Sequence, residues 1–426
     1  MTGSVPIRTV PAVFDDLVGQ DAVVAALTRA VSGAGGDLTA AARRGSWASK
    51  AGPDGSLVAA TTSDSAYGGL ATTGMTHAWL FTGPPGSGRS VAARAFAAAL
   101  QCRDGGCGQC GACRTSLGGT HADVDVVNTQ RLSIGVDDAR ALVARAARYP
   151  SGGRYQVMII EDADRLTDQA ANALLKALEE PTPRTVWLLC APALEDVMPT
   201  IRSRCRHLAL RTPPTAAVAE VLVRRDGVDP AMAAFAARAA QGHIGRAKRL
   251  ATDEAARNRR RAVLRLPLAL TDLSEALGAA AELVGAATDE GQETSASLDE
   301  AETEEMRRAL GAGTTGRAMP SGSAAVLKDL EKAQKARTTR SRRDAIDRAL
   351  VDLASFYRDV LAVQLGTEVE LVNDELRPDV LSVGRSVTPE ATLRCIDAVL
   401  AARDAIDLNV APLLAVEAMT VALRAG

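Results

Sequence analysis

A glycine-rich stretch before residue 100 has the spacing of a phosphate-binding loop. Residues 83–90 read Gly-Pro-Pro-Gly-Ser-Gly-Arg-Ser, between an apolar run at 78–81 and a helix-like segment at 91–100. In the pattern G-x-x-x-x-G-K-[ST], glycines bring backbone N–H groups onto phosphate oxygens, the lysine reaches the β and γ phosphates, and the hydroxyl binds Mg²⁺. Because a strand precedes and a helix follows, the match predicts a P-loop fold. The candidate contacts are Gly83, Gly86, Gly88, Arg89 and Ser90.

The lysine position of this loop holds Arg89. A guanidinium fork is wider and stiffer than an ammonium, so the two are not interchangeable at a tight phosphate site. The loop therefore predicts the architecture of an ATP and Mg²⁺ site, and it leaves open whether this chain binds or hydrolyses ATP.

A pair of acids at the end of a strand-like run fits the second half of such a site. Glu161 and Asp162 follow the apolar run 157–160. An acid there can hold Mg²⁺ through its water shell, and a second acid can orient the attacking water. Active ATPases usually have Asp first and Glu second, so this order leaves the second side chain one methylene short. The alternative is a capping or surface acid cluster, but the nearby phosphate loop favours a nucleotide site.

Four cysteines, in the spacing C-x4-C-x2-C-x2-C, form a candidate metal site. Two close pairs of thiolates suit a tetrahedral structural Zn²⁺, and the glycines between them allow tight turns around a metal. The alternatives are free thiols or an iron–sulfur site. The candidate ligands are Cys102, Cys107, Cys110 and Cys113.

The elements that must position these residues alternate along the chain. Helical patterns separate strand-like runs, which predicts a parallel sheet covered on both faces. The runs are Trp79 to Phe81, Val124 to Val127, Val157 to Ile160, Val186 to Cys190 and Leu208 to Leu210. Beyond Pro213 the pattern is helical, and residues 32–75 have the composition of a flexible insertion.

Composition sets limits on partners and location. The 426 residues carry a formal net charge of −2 and only 3% aromatic residues. A whole-molecule basic field and base-stacking platforms are therefore not expected. The sequence shows no long apolar run and no charged-then-apolar start, so we expect a cytoplasmic protein without membrane contact.

Two further motifs make a family resemblance specific. Asn172 to Pro181 reads NALLKALEEP, and Ser203 to Cys205 reads Ser-Arg-Cys. Together with Phe14 to Gln20, the loop, the four cysteines and the acidic stretch Glu161 to Leu166, they make the chain resemble the AAA+ clamp-loader subunits of bacterial DNA polymerase III, and among them the delta′ group. The motifs span most of residues 14–211.

The resemblance implies a fold of mixed class, α/β plus all-α. Residues 1–211 are expected to form the AAA+ P-loop domain, with a flexible insertion at 32–75 and a zinc module at 102–113. Residues 212–268 would be a helical lid. Residues 269–426 would be a helical collar for oligomerisation, with an acidic flexible segment at 288–322.

The resemblance also assigns a role to Arg204. In this family the arginine of Ser-Arg-Cys points into the ATP site of a neighbouring subunit, where a guanidinium stabilises charge on the transferred phosphoryl group. Two other positions differ from those of active relatives. At the end of the fourth strand, where active relatives have a polar residue that senses the γ phosphate, the sequence reads Cys190-Ala191-Pro192. Gly245 stands where active relatives have a sensing arginine, and Arg246 is displaced from that position by one residue. His243 is interpreted as a cap or lid-surface residue. We therefore expect little or no intrinsic ATPase.

The resemblance names partners and leaves two alternatives. The partners would be the gamma/tau and delta subunits, the sliding clamp, and primer-template DNA contacted through its backbone without sequence readout. Any polymerase activity would belong to the holoenzyme. The first alternative is an ATP-hydrolysing motor subunit of the gamma/tau type. The second is a zinc-containing DNA-binding regulatory protein on an AAA+ scaffold, disfavoured by the lack of a recognition helix.

Overall fold

The computed structural model describes residues 10–43, 74–127, 133–309 and 323–425. Its backbone contacts divide the described residues into two compact units. The first unit comprises the described residues up to Ala237, together with Gly242–Arg246. The second unit comprises Arg238–Gln241 and the described residues from Ala247 onward. The three-part division into AAA+ domain, lid and collar stays a prediction.

A five-stranded parallel sheet forms the centre of the first unit, in the order β2-β3-β4-β1-β5. Its strands are β1 (Ala78–Thr82), β2 (Val124–Val127), β3 (Gln156–Ile160), β4 (Thr185–Ala191) and β5 (Arg206–Ala209). Every residue of β1, β3 and β4 is buried. Such continuous apolar strands are typical of a parallel sheet covered on both faces.

Helices cover the two faces of this sheet. Trp79 and Phe81 of β1 join one core cluster with Phe96, while Ala78 and Leu80 join the other cluster. Successive side chains of a strand point to opposite faces, so the two clusters lie on opposite sides of the sheet. The helices beginning in this unit are α1 (Asp21–Arg43), α2 (Arg89–Gln101), α3 (Gly111–Leu117), α4 (Val136–Ala146), α5 (Asp168–Glu179), α6 (Pro199–Arg202), α7 (Thr215–Asp226), α8 (Pro230–Ala239) and α9 (Ile244–Thr252).

The first helix corrects the predicted boundary of the insertion. The insertion was expected to begin at residue 32, but α1 continues to Arg43. Alanine favours helix, and Ala34 is buried in the core, where its carbonyl accepts a 3.4 Å hydrogen bond from the Tyr155 hydroxyl. Residues 32–43 therefore belong to this helix rather than to the predicted insertion. Residues 44–73 lie outside the described ranges.

The described part of the second unit is helical. Its core contains Leu350, Leu353, Phe356 and Val360 at helical spacing, packed with Val399. The all-α prediction is confirmed for this unit. Its helices are α10 (Glu254–Ala269), α11 (Leu273–Ala309), α12 (Ser323–Gln364), α13 (Arg377–Ser386), α14 (Pro389–Asp407) and α15 (Pro412–Ala425). No helix within the described residues is long and apolar enough to cross a membrane.

Helix α11 corrects the acidic flexible segment predicted at 288–322. The helix runs through it as far as Ala309, and residues 310–322 lie outside the described ranges. The acids are paired with α12: Arg337 donates to Glu302 at 2.9 Å and also contacts Asp299. A separate helix, α10, begins at Glu254, because Asp253 caps it by accepting from the Ala256 N–H at 3.1 Å.

A buried polar network holds α10 against its neighbours in the second unit. Arg260 is 5% exposed, and it donates to Asp352 at 3.0 Å, to Glu375 at 2.7 Å and to Asn373. Asn373 in turn donates its backbone N–H to Asp359, which is fully buried. Breaking one partner of such a network leaves a buried charge uncompensated.

We therefore predict that Arg260→Ala lowers the free energy of unfolding by about 3–5 kcal/mol. The matched control is the neighbouring exposed Arg261→Ala, which should change it by less than about 0.5 kcal/mol. Urea denaturation followed by circular dichroism measures both. Equal effects of the two substitutions would contradict a structural role for the network.

Candidate functional site

Three segments singled out in the sequence meet at the carboxyl edge of the sheet. Strands β1, β4 and β3 are neighbours, and because they are parallel, the segments that follow them emerge side by side. The Gly83 N–H donates to the carbonyl of Pro192 at 3.1 Å, which joins the phosphate loop to the segment after β4. At the end of β4, Cys190 is fully buried, and burial raises the pKa of its thiol.

The phosphate loop has the backbone that its glycines predict. Gly83, Gly86 and Gly88 have φ of 153°, 86° and 93°. A Cβ on Gly83 would lie 2.6 Å from the carbonyl oxygen of Leu210, so only glycine fits there. Ser87 is 2% exposed, and its Oγ has no hydrogen-bond partner among the described residues. This stretch therefore has the backbone conformation expected of a phosphate-binding loop.

The segment entering α9 lies directly against this loop. A Cβ on Gly86 would come within 2.5 Å of the Cα of His243. The Nδ1 atom of His243 accepts from the Arg246 N–H at 3.2 Å, which caps the start of α9. The interpretation of His243 as a cap is thus confirmed, and its contact with the loop is an addition that the sequence did not predict. Gly245 offers no side chain for a sensing role.

Arg89, at the lysine position, turns back onto its own loop. Its Nη1 donates to the Gly83 carbonyl at 2.7 Å. Burial is the main influence on its guanidinium and lowers its pKa, while the nearby carboxylates of Asp164 and Asp162 oppose that shift. Arg89 is therefore held by the loop backbone and faces the acids that follow β3.

Glu161, the first acid after β3, is also held by an arginine. Arg94 Nε donates to its Oε1 at 2.8 Å, and the Glu161 side chain is only 8% exposed. Arg94 lies on α2, one helical turn after Ser90, so both face the sheet edge. Sequence reasoning missed Arg94, although its helical spacing from the loop was the available signal. Arg94 therefore occupies one of the two carboxylate oxygens of Glu161 that Mg²⁺ or its water shell would otherwise contact.

The four cysteines come together after the end of α2. Their sulfur atoms all lie within 4.8 Å of one another. Cys102 Sγ is 3.7 Å from that of Cys107 and 3.8 Å from that of Cys110. Zn–S bonds of about 2.3 Å in a tetrahedron place sulfurs about 3.8 Å apart. The donor set could therefore hold one tetrahedral metal ion.

Backbone hydrogen bonds and burial shift the pKa values of two of these thiols in opposite directions. Hydrogen bonds from the backbone of Gln109 and Cys110 lower the pKa of Cys107 to about 7. Burial raises the pKa of Cys113. The cluster is seated on the core by Gly106, whose φ is 114° and where a Cβ would lie 2.8 Å from Val13. A bound cation would favour the thiolate at every position.

Arg204 belongs to a separate set of contacts, between α6 and β5. Its Nε donates to Glu179 at 2.7 Å, and its Nη1 donates to the Thr200 carbonyl at 2.7 Å. The side chain is 33% exposed. The structure thus brings together the loop and the acids at one place and the cysteines at another, and it holds Arg204 beside the end of α5.

Part of the chain is similar to known DNA polymerase III subunits. Residues 64–214 match the family described as DNA polymerase III, delta subunit. The DNA polymerase III subunit delta′ of Pseudomonas aeruginosa is 39% identical over 163 residues, 37% of this chain and 50% of that protein. Subunit gamma/tau of Mycobacterium tuberculosis is 37% identical over 155 residues, 35% of this chain and 27% of that protein. Delta′ of Escherichia coli is 35% identical over 144 residues, 32% of this chain and 43% of that protein.

Over these residues the chain is similar to DNA polymerase III subunits of the delta′ and gamma/tau kinds, and its parallel sheet with a glycine-rich loop after β1 is the arrangement of a P-loop fold. The resemblance to the delta′-type subunits of DNA polymerase III, expected from the motifs, is confirmed. The matched region spans half or less of the length of these curated relatives.

We predict that the chain binds about one tetrahedral metal ion through its four cysteines. Titration with Co²⁺, read by its thiolate charge-transfer absorption, should saturate at that ratio, and Cys110→Ser should lose most of the bound metal. Because protons compete for thiolates, binding should weaken as the pH falls. The control is Cys205→Ser, outside the cluster, which should retain the metal. Equal metal content in both variants would contradict the site.

Proposed function

We propose that this chain is a delta′-type subunit of the DNA polymerase III clamp loader that hydrolyses little ATP itself and donates Arg204 to a neighbouring ATPase subunit. The observation that carries the first part is the occupation of the loop site by the chain's own arginines. Arg89 bonds the Gly83 carbonyl and Arg94 pairs with Glu161. The groups that would act on the phosphates and on Mg²⁺ are therefore engaged within the chain.

The proposed role of Arg204 is supported by its sequence context and its exposure. Ser-Arg-Cys follows α6, and the arginine keeps a third of its side chain exposed while its backbone is fixed, the N–H donating to the Ile201 carbonyl at 3.0 Å. An arginine supplied in trans can accelerate phosphoryl transfer by about 10³ to 10⁵. Such a residue contributes to hydrolysis at a partner's site rather than at its own loop.

We assign the cysteine cluster to a structural Zn²⁺ ion. Cys102, Cys107, Cys110 and Cys113 would hold it, and four thiolates with no open position suit a structural rather than a catalytic site. The ion would fix the chain after α2, next to the helix that carries Arg94. ATP and Mg²⁺ at the loop would be bound weakly, if at all, because Arg89 and Arg94 must first move.

The proposed partners follow from the relatives. Curated relatives include both delta′ and gamma/tau subunits, so we propose association with gamma/tau and delta subunits in a loader that places the sliding clamp on primer-template DNA. DNA would be contacted through its backbone, without sequence readout. The expected cytoplasmic location stays a prediction.

The test is ATP hydrolysis by this chain mixed with purified DNA polymerase III gamma/tau and delta subunits, with clamp and primed DNA. Arg204→Ala should lower the stimulated rate by about 10³ per affected site if the guanidinium acts on the transferred phosphoryl group. The matched control is Arg202→Ala, two residues earlier, which should leave the rate near that of the unaltered chain.

Two outcomes would overturn this proposal. Unchanged hydrolysis and clamp loading with Arg204→Ala would exclude the arginine role. Robust hydrolysis by the isolated chain would favour the second candidate, a gamma/tau-type motor, for which the 37% identity to gamma/tau subunits over 155 residues is the specific observation.

A further inference from the structure

The guanidinium of Arg204 is engaged inside its own chain. Nε donates to Glu179 Oε1 at 2.7 Å, and Nη2 contacts the same oxygen. We infer that Glu179 is a latch for Arg204: it holds the arginine against its own subunit, and Arg204 binds an anion of a neighbouring subunit only when this ion pair opens. The inference rests on the proposed function of Arg204.

The hydrogen-bond inventory of Arg204 carries the inference. A guanidinium has five N–H donors in a fixed plane. The Nε and Nη2 contacts to Glu179 use two of them, and Nη1 donates to the Thr200 carbonyl at 2.7 Å and to Ser203 Oγ at 3.2 Å. Among contacts with the described residues, a single Nη2 donor is left over. Bidentate binding of a phosphate needs two donors on one edge, so the Nε–Nη2 edge must leave Glu179.

Charge leads to the same requirement. The Glu179 carboxylate lies on the edge of the guanidinium that a phosphate would use. Two anions on one edge repel each other, so phosphate and Glu179 compete for Arg204 rather than sharing it. By contrast, the Thr200 contact involves a neutral carbonyl on the opposite side and need not open. Binding in trans is therefore an exchange of one carboxylate for one phosphate.

The fold fixes both halves of the latch. Glu179 is the last residue of α5, a helix anchored by the buried side chains of Leu174 and Leu178. A helix C-terminus carries partial negative charge, which adds to the attraction for a guanidinium. Thr200, the other anchor, lies on α6. The arginine is thus held between two helix positions of its own subunit.

The latch is weak enough to open. The side chains of Arg204 and Glu179 are 33% and 46% exposed. Ion pairs at this exposure are worth little, so we expect removal of the carboxylate charge to increase engagement of Arg204 by about two- to fivefold. Salt screens exposed pairs, so this gain should shrink as the ionic strength rises.

The experiment uses the full chain, mixed with a purified DNA polymerase III gamma/tau subunit and ATP. The concentration of this chain that gives half-maximal stimulation of hydrolysis should fall about two- to fivefold for Glu179→Gln. Glu180→Gln, an exposed neighbour on the same turn, is the matched control and should behave like the unaltered chain. Glu179→Ala should reproduce the gain, since the effect depends on the lost charge.

The outcomes separate this inference from the proposed function. If Arg204→Ala abolishes stimulation while Glu179→Gln and Glu180→Gln behave alike, the latch is excluded and the proposed function stands. A loss of stimulation with Glu179→Gln would also exclude it, since the carboxylate would then assist Arg204. If Arg204→Ala changes nothing, the proposed function fails, and the latch fails with it. In the Glu179→Gln and Arg204→Ala double variant, no gain should remain.

Discussion

The ion pair between Arg94 and Glu161, together with the contact of Arg89 with the loop backbone, is the interaction on which this account depends. A P-loop ATPase keeps such acids for a metal ion and for water. Here Arg94 pairs with Glu161, and Arg89 bonds the loop backbone beside Asp162. On the function proposed above, a nucleotide would compete with these two guanidinium groups before its phosphates and Mg²⁺ reach their usual partners. The loop thus keeps the backbone of a phosphate-binding loop, while arginines of the same chain bond the Gly83 carbonyl and the Glu161 carboxylate.

The parallel sheet makes this arrangement compact. Its topology puts the ends of β1, β4 and β3 at one edge, so a loop, a buried cysteine and an acid pair converge without any long connection. Helix α2 begins in the loop, carries Arg94, and ends at Gln101, directly before Cys102, the first of the four cysteines. One helix therefore links the two candidate sites. Arg204 lies on a different connection, between α6 and β5, where its side chain is 33% exposed.

The sequence predicted much of this because the strongest signals are local. The glycine spacing predicts the phosphate loop, because a backbone with positive φ favours glycine at those positions. The cysteine spacing likewise predicts the cluster, because it allows the four sulfur atoms to come together. Strands β1, β3 and β4 are continuous buried runs, so their order along the chain could be predicted directly. The extents of α1 and α11 could not, because their polar and small residues lack a period.

Pairings between distant residues were beyond local patterns. Arg94 with Glu161 and Arg204 with Glu179 join residues 67 and 25 positions apart. Each pairing depends on which elements lie side by side in the fold. The distance between the two side chains cannot be obtained from a single sequence. Helix α11 is likewise stabilised by Arg337 of α12, which bonds Glu302. Because this partner is distant in the sequence, the acids of α11 taken alone predict a flexible segment.

The most direct test of the central claim is binding of a fluorescent ATP analogue with Mg²⁺ to the isolated chain. We expect weak binding and no hydrolysis in the unaltered chain. Combining Arg89→Lys with Arg94→Gln should tighten binding by tenfold or more, which corresponds to about 1.4 kcal/mol, because both internal guanidinium contacts are removed. Tight binding with turnover by the unaltered chain would contradict the claim that its own arginines occupy the site.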